Sequence, residues 1–188
     1  MKKRICMAVL AALIIIGNAG CGFQNKNENL SVGMEAITAL EYDNALASFE
    51  AARQAGEEER LILRGEGLAY MGKTMYTEAA AAFEGALACS NGRIKNIDYD
   101  INYYLATAYI KLGEVGKAMD VYNAIIALKP EEKDAYYLRG VIYTQQGNLN
   151  SAKENFDKVT ALDSSNYDRM IDIYSILASE GYKETGQE

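Results

Sequence analysis

The sequence of 188 residues contains no histidine and no tryptophan, and it contains one proline, Pro130. Histidine is the usual general base near neutral pH and the commonest metal ligand. Its absence excludes Ser/His and Cys/His catalytic pairs and most zinc sites. Pairs of aspartate and glutamate remain, but nothing in their spacing distinguishes an acid–base site from a solvated helix face. We therefore expect a protein that is not an enzyme and that uses no metal or cofactor.

Cysteine and positive charge are also scarce. Cys6 and Cys21 lie near the N-terminus and Cys89 stands alone, so a disulfide framework is excluded. We predict that Cys89 is a small, partly buried apolar side chain, with a reactive thiol as the alternative. Lysine and arginine total 19 against 26 aspartates and glutamates, a formal net charge of −7. Such an acidic surface repels phosphate backbones, so we expect no nucleic-acid partner.

The N-terminal segment has the pattern of an export signal. Lys2, Lys3 and Arg4 precede an apolar run from Ile5 to Ile16. This run is shorter than the roughly 20 residues that a helix needs to span a bilayer. We predict a helical signal peptide over residues 1–20.

The segment "GNAGCG", residues 17–22, resembles the lipobox of bacterial lipoproteins. Ala19, Gly20 and Cys21 match that motif, while Asn18 stands where the family usually has an aliphatic residue. The resemblance implies that Cys21 becomes the mature N-terminus and carries lipid, with palmitate among the expected acyl chains. Two acyl chains give stable membrane anchoring. An ordinary secretory signal with an incidental cysteine and an uncleaved anchor are the alternatives.

Four segments of the remaining chain share one stripe of side chains at steps of three, four and three residues, which is one face of an α-helix. The stripes are Tyr42, Ala45, Phe49 and Ala52; Tyr76, Ala79, Phe83 and Ala86; Val115, Ala118, Tyr122 and Ile125; and Leu149, Ala152, Phe156 and Val159. They recur with a period of about 34 residues, and the interval between the second and third stripes is slightly longer. A fixed period of this length indicates a repeat architecture.

The stripe and its period resemble the tetratricopeptide repeat, a helix–turn–helix unit. Turn residues at Gly113 and Gly147 and the proline at Pro130 fit that unit. A signature of the first helix precedes each stripe, at Gly33, Gly67, Ala106 and Gly140. The resemblance implies an all-α, right-handed α-solenoid of about four helix pairs plus a C-terminal capping helix. In this arrangement the aromatic of each stripe is a buried knob, and Ala45, Ala79, Ala118 and Ala152 are the holes between helices.

The predicted boundaries follow from these features. Residues 1–20 are the lipoprotein signal peptide, 21–29 a tether, 30–180 the repeat domain and 181–188 a tail; repeats cover about 26–58, 60–92, 99–131 and 133–165, and the capping helix covers 167–180. The extra residues between the second and third repeats fall in the segment 89–98, which is either a binding loop or a neutral insertion. Tyr182 lies where the second helix of a fifth unit would begin, so the tail either frays or belongs to a unit that is cut short in this sequence.

In this family the first helices line a concave groove that commonly receives a peptide or a helix from a partner. The groove positions carried over to this chain are Leu30, Met34, Arg64, Met71, Tyr103, Thr107, Lys111, Tyr137 and Thr144. Any of these side chains either contacts a partner or packs between repeats. Tyr103 and Tyr137 are the strongest candidates, because tyrosine combines a broad apolar face with a hydroxyl.

The resemblance therefore implies a membrane-anchored interaction scaffold of the bacterial cell envelope, with a protein or peptide partner of unknown identity. We expect it to lie outside the cytoplasm, held to a bacterial membrane through lipidated Cys21. The alternative is an extracytoplasmic lipoprotein that captures glycans or peptides for uptake. Glycan binding usually stacks sugars on tryptophan, which this chain does not contain.

The lipidation hypothesis predicts the behaviour of Cys21→Ser. Because the acyl chains supply the anchoring free energy, the variant should leave the membrane fraction or remain uncleaved, and metabolic labelling with a fatty acid should be lost. Cys89→Ser is the matched control and should keep both the label and the membrane fraction. A wild-type chain that carries no lipid would contradict the hypothesis.

Overall fold

The computed structural model describes residues 28–89 and 96–181, and the regular elements in that part of the chain are all α-helices. They are α1 (Glu28–Thr38), α2 (Tyr42–Gln54), α3 (Glu59–Gly72), α4 (Tyr76–Ala88), α5 (Asn96–Lys111), α6 (Val115–Leu128), α7 (Lys133–Gln145), α8 (Leu149–Leu162) and α9 (Tyr167–Ser179). The helices pack in consecutive pairs, which confirms the predicted all-α arrangement. The signal peptide, Cys21, residues 21–27 of the tether, residues 90–95 of the long loop and residues 182–188 lie outside the described residues.

The first and second helices of each pair are joined by one type of turn. The turn residue has a left-handed backbone at Leu40, Thr74, Gly113, Gly147 and Gly181, with φ of 62°, 59°, 77°, 72° and 74°. In the first four, the next backbone N–H donates to a carbonyl five residues earlier, as in a Schellman helix end. The predicted turns at Gly113 and Gly147 are thus confirmed. Gly181 lies one repeat period after Gly147, so α9 ends as a first helix does.

The predicted aromatic knobs are buried, and the residues that receive three of them are glycines. Phe49, Phe83 and Phe156 are at most 1% exposed. A Cβ atom added to Gly67 would lie 2.4 Å from the Phe83 ring, and one added to Gly140 would lie 2.6 Å from the Phe156 ring. The predicted alanine holes are also fully buried, but the ring lies against the bare backbone of the first helix.

The first aromatic ring also links two repeats. A Cβ atom added to Gly33, in the same repeat as Phe49, would lie 2.5 Å from that ring. One added to Gly65, in the next repeat, would lie 2.3 Å from it. Phe83 makes the corresponding link to the third repeat by stacking on Tyr104, with ring centroids 5.7 Å apart.

Cys89, at the end of α4, is exposed, so the prediction of a partly buried side chain is wrong. The helix ends there, and no neighbouring element among the described residues covers the side chain. Among the described residues, no helix combines the length and the apolar character needed to cross a membrane.

The contact between glycine and aromatic ring predicts the effect of Gly67→Ala. The added methyl group must displace the buried Phe83 ring, and overpacking of this kind costs about 1–3 kcal/mol of unfolding free energy. Gly116→Ala, in α6, is the control because an added Cβ there meets nothing within 4 Å. The control should gain up to about 1 kcal/mol from helix propensity alone.

Urea denaturation followed by circular dichroism measures both variants. Equal changes in unfolding free energy for the two alanines would contradict the packing of Phe83 against Gly67.

Candidate partner-binding groove

The described chain contains an open pocket of about 480 Å³ that is lined by first helices. The lining side chains come from α5, α7 and α9, and they are Tyr103, Asp134, Tyr137, Leu138, Arg169 and Asp172. The first helices of neighbouring repeats face the same side of the stack, because each repeat places its second helix on the other side. Tyr103 and Tyr137, which lie one repeat period apart, therefore meet in one pocket, as their shared repeat position predicts.

Tyr103 is held by packing on one side and faces carboxylates on the other. Its ring lies 6.2 Å from the ring of Tyr122, centroid to centroid. Its hydroxyl oxygen is buried beside the carboxylate of Glu132. Burial, with the nearby carboxylates of Glu132 and Asp134, raises the pKa of Tyr103 well above its usual range. The phenol is thus protonated at neutral pH and has a proton to donate.

Tyr137 is held between a core ring and an arginine. Its ring centroid lies 5.9 Å from that of Phe156 and 4.5 Å from the guanidinium carbon of Arg169. The same guanidinium makes an ion pair of 3.1 Å with the carboxylate of Asp134. The Asn166 side chain caps α9 by accepting a hydrogen bond of 3.0 Å from the backbone N–H of Arg169. This bond fixes the backbone position of Arg169 in the first turn of the helix. Helix α9 of the same chain therefore already places a cation, the guanidinium of Arg169, against Tyr137 and Asp134.

Four side chains of the pocket are absent from the predicted groove set: Asp134, Leu138, Arg169 and Asp172. Two of them lie on α9, for which the sequence predicts only a capping role. A signal for one of them exists, because Asp172 lies one repeat period after Leu138 and continues the same repeat position. The ion pair between Arg169 and Asp134 has no sequence signal, since it depends on how α9 docks.

The other predicted groove positions have different environments. Leu30 and Met34 are partly buried and pack on the core around Phe49, and Met71 packs on the central core. The hydroxyl of Thr107 donates a hydrogen bond to the carbonyl oxygen of Tyr103 at 2.9 Å. Lys111 is exposed. For these residues a role in partner binding stays a prediction.

One predicted groove residue needs correction. Thr144 is 5% exposed and its hydroxyl donates to the carbonyl oxygen of Gly140 at 2.9 Å, so it is not available to a partner. It is buried because the end of α7 turns towards α8, which the repeat position alone does not reveal. The guanidinium of Arg64 pairs with the carboxylate of Asp100, and its role in partner binding stays a prediction.

Within residues 28–89 and 96–181, no group of three or more Cys, Asp or Glu is placed to hold a metal ion.

Comparison with known proteins gives a consistent assignment along the chain. Three family models described as tetratricopeptide repeat match residues 33–94, 70–142 and 133–166. An auxiliary subunit of the NatA complex from Mus musculus, N-alpha-acetyltransferase 16, is 37% identical over 71 residues, which are 38% of this chain and 8% of that protein. A TPR repeat-containing protein of Methanocaldococcus jannaschii is 27% identical over 72% of this chain and 23% of its own length. This chain thus spans a small part of either relative.

Solved structures of similar fold cover most of the chain. YrrB, described as a TPR protein with an unusual peptide-binding site, superposes with a TM-score of 0.62 at 24% identity, over 83% of this chain and 78% of that one. MamA superposes with a TM-score of 0.64 at 21% identity, over 80% and 85%. A tetratricopeptide repeat protein from Parabacteroides merdae gives 0.64 at 23% identity, over 82% and 66%. At these identities the likeness establishes the fold.

The pocket geometry predicts that Arg169→Gln loosens α9. The change removes the ion pair with Asp134 and the cation–π contact with Tyr137, which together contribute about 1 kcal/mol at a partly exposed site. Amide hydrogens of α9 should then exchange about fivefold faster, while those of α3 and α4 keep their rates.

Hydrogen exchange with mass spectrometry measures the difference. Lys158→Gln, an exposed lysine on α8, is the control and should leave α9 unchanged. If Arg169→Gln also leaves the exchange of α9 unchanged, then Arg169 does not hold the helix.

Proposed function

This chain is a tetratricopeptide repeat protein, and on that premise we propose that it is a non-enzymatic interaction scaffold that binds a partner peptide or helix in its concave groove. The observation that carries the proposal is the pocket between α5, α7 and α9, where Tyr103 and Tyr137 meet. Pockets of roughly 300–1,000 Å³ with aromatic walls and a few polar groups are typical binding sites. Tyrosine and arginine are also the residue types that dominate binding energy at interfaces.

The peptide-binding site named for YrrB supports this proposal by analogy of fold. An extended peptide or a helix suits an open groove, because side chains at regular spacing can reach successive repeats. The exposed Lys111 lies eight residues after Tyr103, on the same face of α5, and extends the candidate surface beyond the pocket.

We further propose that the scaffold is a lipoprotein of the bacterial cell envelope, anchored outside the cytoplasm through Cys21. This part rests on the sequence of residues 1–29, where a positively charged start, a short apolar run and the lipobox-like "AGC" follow one another. Glu28 already belongs to α1, so the proposed tether joins the lipid directly to the first repeat. The alternative is capture of glycans or peptides for uptake. The same groove would receive a captured peptide, so the identity of the crosslinked partner distinguishes the two functions.

Site-specific photo-crosslinking in cells tests the proposed groove. A photoreactive residue at Lys111 should yield a discrete protein adduct, because that position is exposed beside the proposed binding surface. The matched control is a photoreactive residue at Glu154, which is also exposed, on the second helix α8. The adduct should be absent from Glu154, and mass spectrometry should locate its contact on a single partner segment.

Two results would contradict the proposal. One is a Lys111 variant that folds, reaches its normal fraction and forms no adduct. The other is the same set of adducts from Lys111 and Glu154, which would place binding outside the concave side.

A further inference from the structure

We propose that the pocket between α5, α7 and α9 binds a basic side chain, arginine or lysine, of a partner peptide. The inference rests on the proposed function and adds the chemical class of the partner. It is carried by the charges that line the pocket, by the cation already bound there and by the tyrosines of the lining.

The pocket has more negative than positive charge. Of its two aspartates, Asp134 is paired with Arg169, whereas Asp172 is exposed and makes no ion pair with any described residue. The neighbouring cations are taken, since Lys133 pairs with Asp163 and Lys129 with Glu132. One carboxylate in the pocket is therefore left for a cation from outside the chain.

Arg169 demonstrates the chemistry that the pocket offers. Its guanidinium lies over the Tyr137 ring, at 4.5 Å from the centroid, and pairs with the Asp134 carboxylate at 3.1 Å. Ring faces and carboxylates are the two groups that bind guanidinium and ammonium ions best in proteins. Asp172 offers a second carboxylate in the same pocket, and the side chain of Leu138 offers apolar contact to the aliphatic part of a long basic side chain.

Tyr103 contributes its ring to the pocket rather than its hydroxyl. The hydroxyl oxygen is buried beside the carboxylates of Glu132 and Asp134, so a partner does not reach it. The residue still lines the pocket, where its aromatic surface offers apolar and cation–π contact to a long basic side chain.

An acidic partner is disfavoured by the same geometry. A carboxylate entering the pocket would meet Asp172 and the nearby Asp134 and Glu132, and like charges in a partly desolvated site repel. The formal net charge of −7 for the chain adds a long-range repulsion of acidic partners and an attraction of basic ones.

Binding of short peptides to the purified full chain tests the inference. The probes are the pentapeptide Ac-Ala-Leu-Arg-Leu-Ala-NH2 and the same peptide with citrulline, which has nearly the shape of arginine without its charge. Isothermal titration calorimetry at low salt should show about tenfold tighter binding of the arginine peptide, the ratio expected for one charge-assisted contact. The preference should shrink at high salt, because screening weakens ion pairs at an exposed site.

Variants assign the effect to the pocket. Asp172→Asn should remove the preference for arginine over citrulline. Asp168→Asn, one turn earlier on α9 and outside the pocket, is the matched control and should keep it. Tyr103→Phe keeps the ring and removes only the buried hydroxyl, so it should keep the preference for arginine over citrulline.

The inference is overturned if the two peptides bind equally, if neither binds at millimolar concentration, or if both asparagine variants behave alike. A Lys111 adduct whose partner segment has no lysine or arginine would reject the basic partner and leave the proposed function intact. Loss of the groove adduct itself would reject both.

Discussion

The close approach of an aromatic ring to the backbone of a glycine is the contact on which the rest of this structure depends. Phe49, Phe83 and Phe156 occupy space that a single methyl group on the facing helix would fill. The glycine lets the two helices of a pair come close, and the ring fills the space that remains, at the density of a protein interior. The contact occurs in the first, second and fourth repeats, whereas the third has Ala106 at the glycine position. The period of the repeat places the first helices α5, α7 and α9 where they line one pocket.

Ion pairs between successive repeats add a second constraint. Arg60 and Asp98 form a buried pair between α3 and α5, and removing one partner of such a pair typically costs about 3–5 kcal/mol. Arg64 with Asp100 joins the same helices nearer to solvent, where an ion pair contributes less. These links fix neighbouring first helices. Asp172 on α9 makes no ion pair with a described residue, so the acidity of the pocket comes from its own lining.

Sequence periodicity was sufficient for the helix pairs, the buried rings and the turns at Gly113 and Gly147, since each depends on residues at a fixed spacing. It missed the left-handed backbone at Leu40 and Thr74, where no glycine marks the turn and the packing of the pair imposes a conformation that costs about 1–2 kcal/mol per residue. In the groove, periodicity placed Tyr103 and Tyr137 together. It did not distinguish exposed Lys111 from buried Thr144, because exposure within a repeat depends on how the next helix docks.

The pocket and the C-terminal side of the stack depend on the same helix, α9. Ile173 and Leu177 of this helix are buried against the core around Phe156. Tyr174, which is 63% exposed, lies one repeat period after Gly140, at the position where α7 presents bare backbone to the Phe156 ring. A second helix with an aromatic knob would meet the Tyr174 side chain there, so the glycine–ring contact of the first, second and fourth pairs cannot form on α9. Among the described residues, α9 is held by Ile173, Leu177 and Arg169. Any change in its docking therefore moves Arg169 and Asp172 relative to Tyr103 and Tyr137.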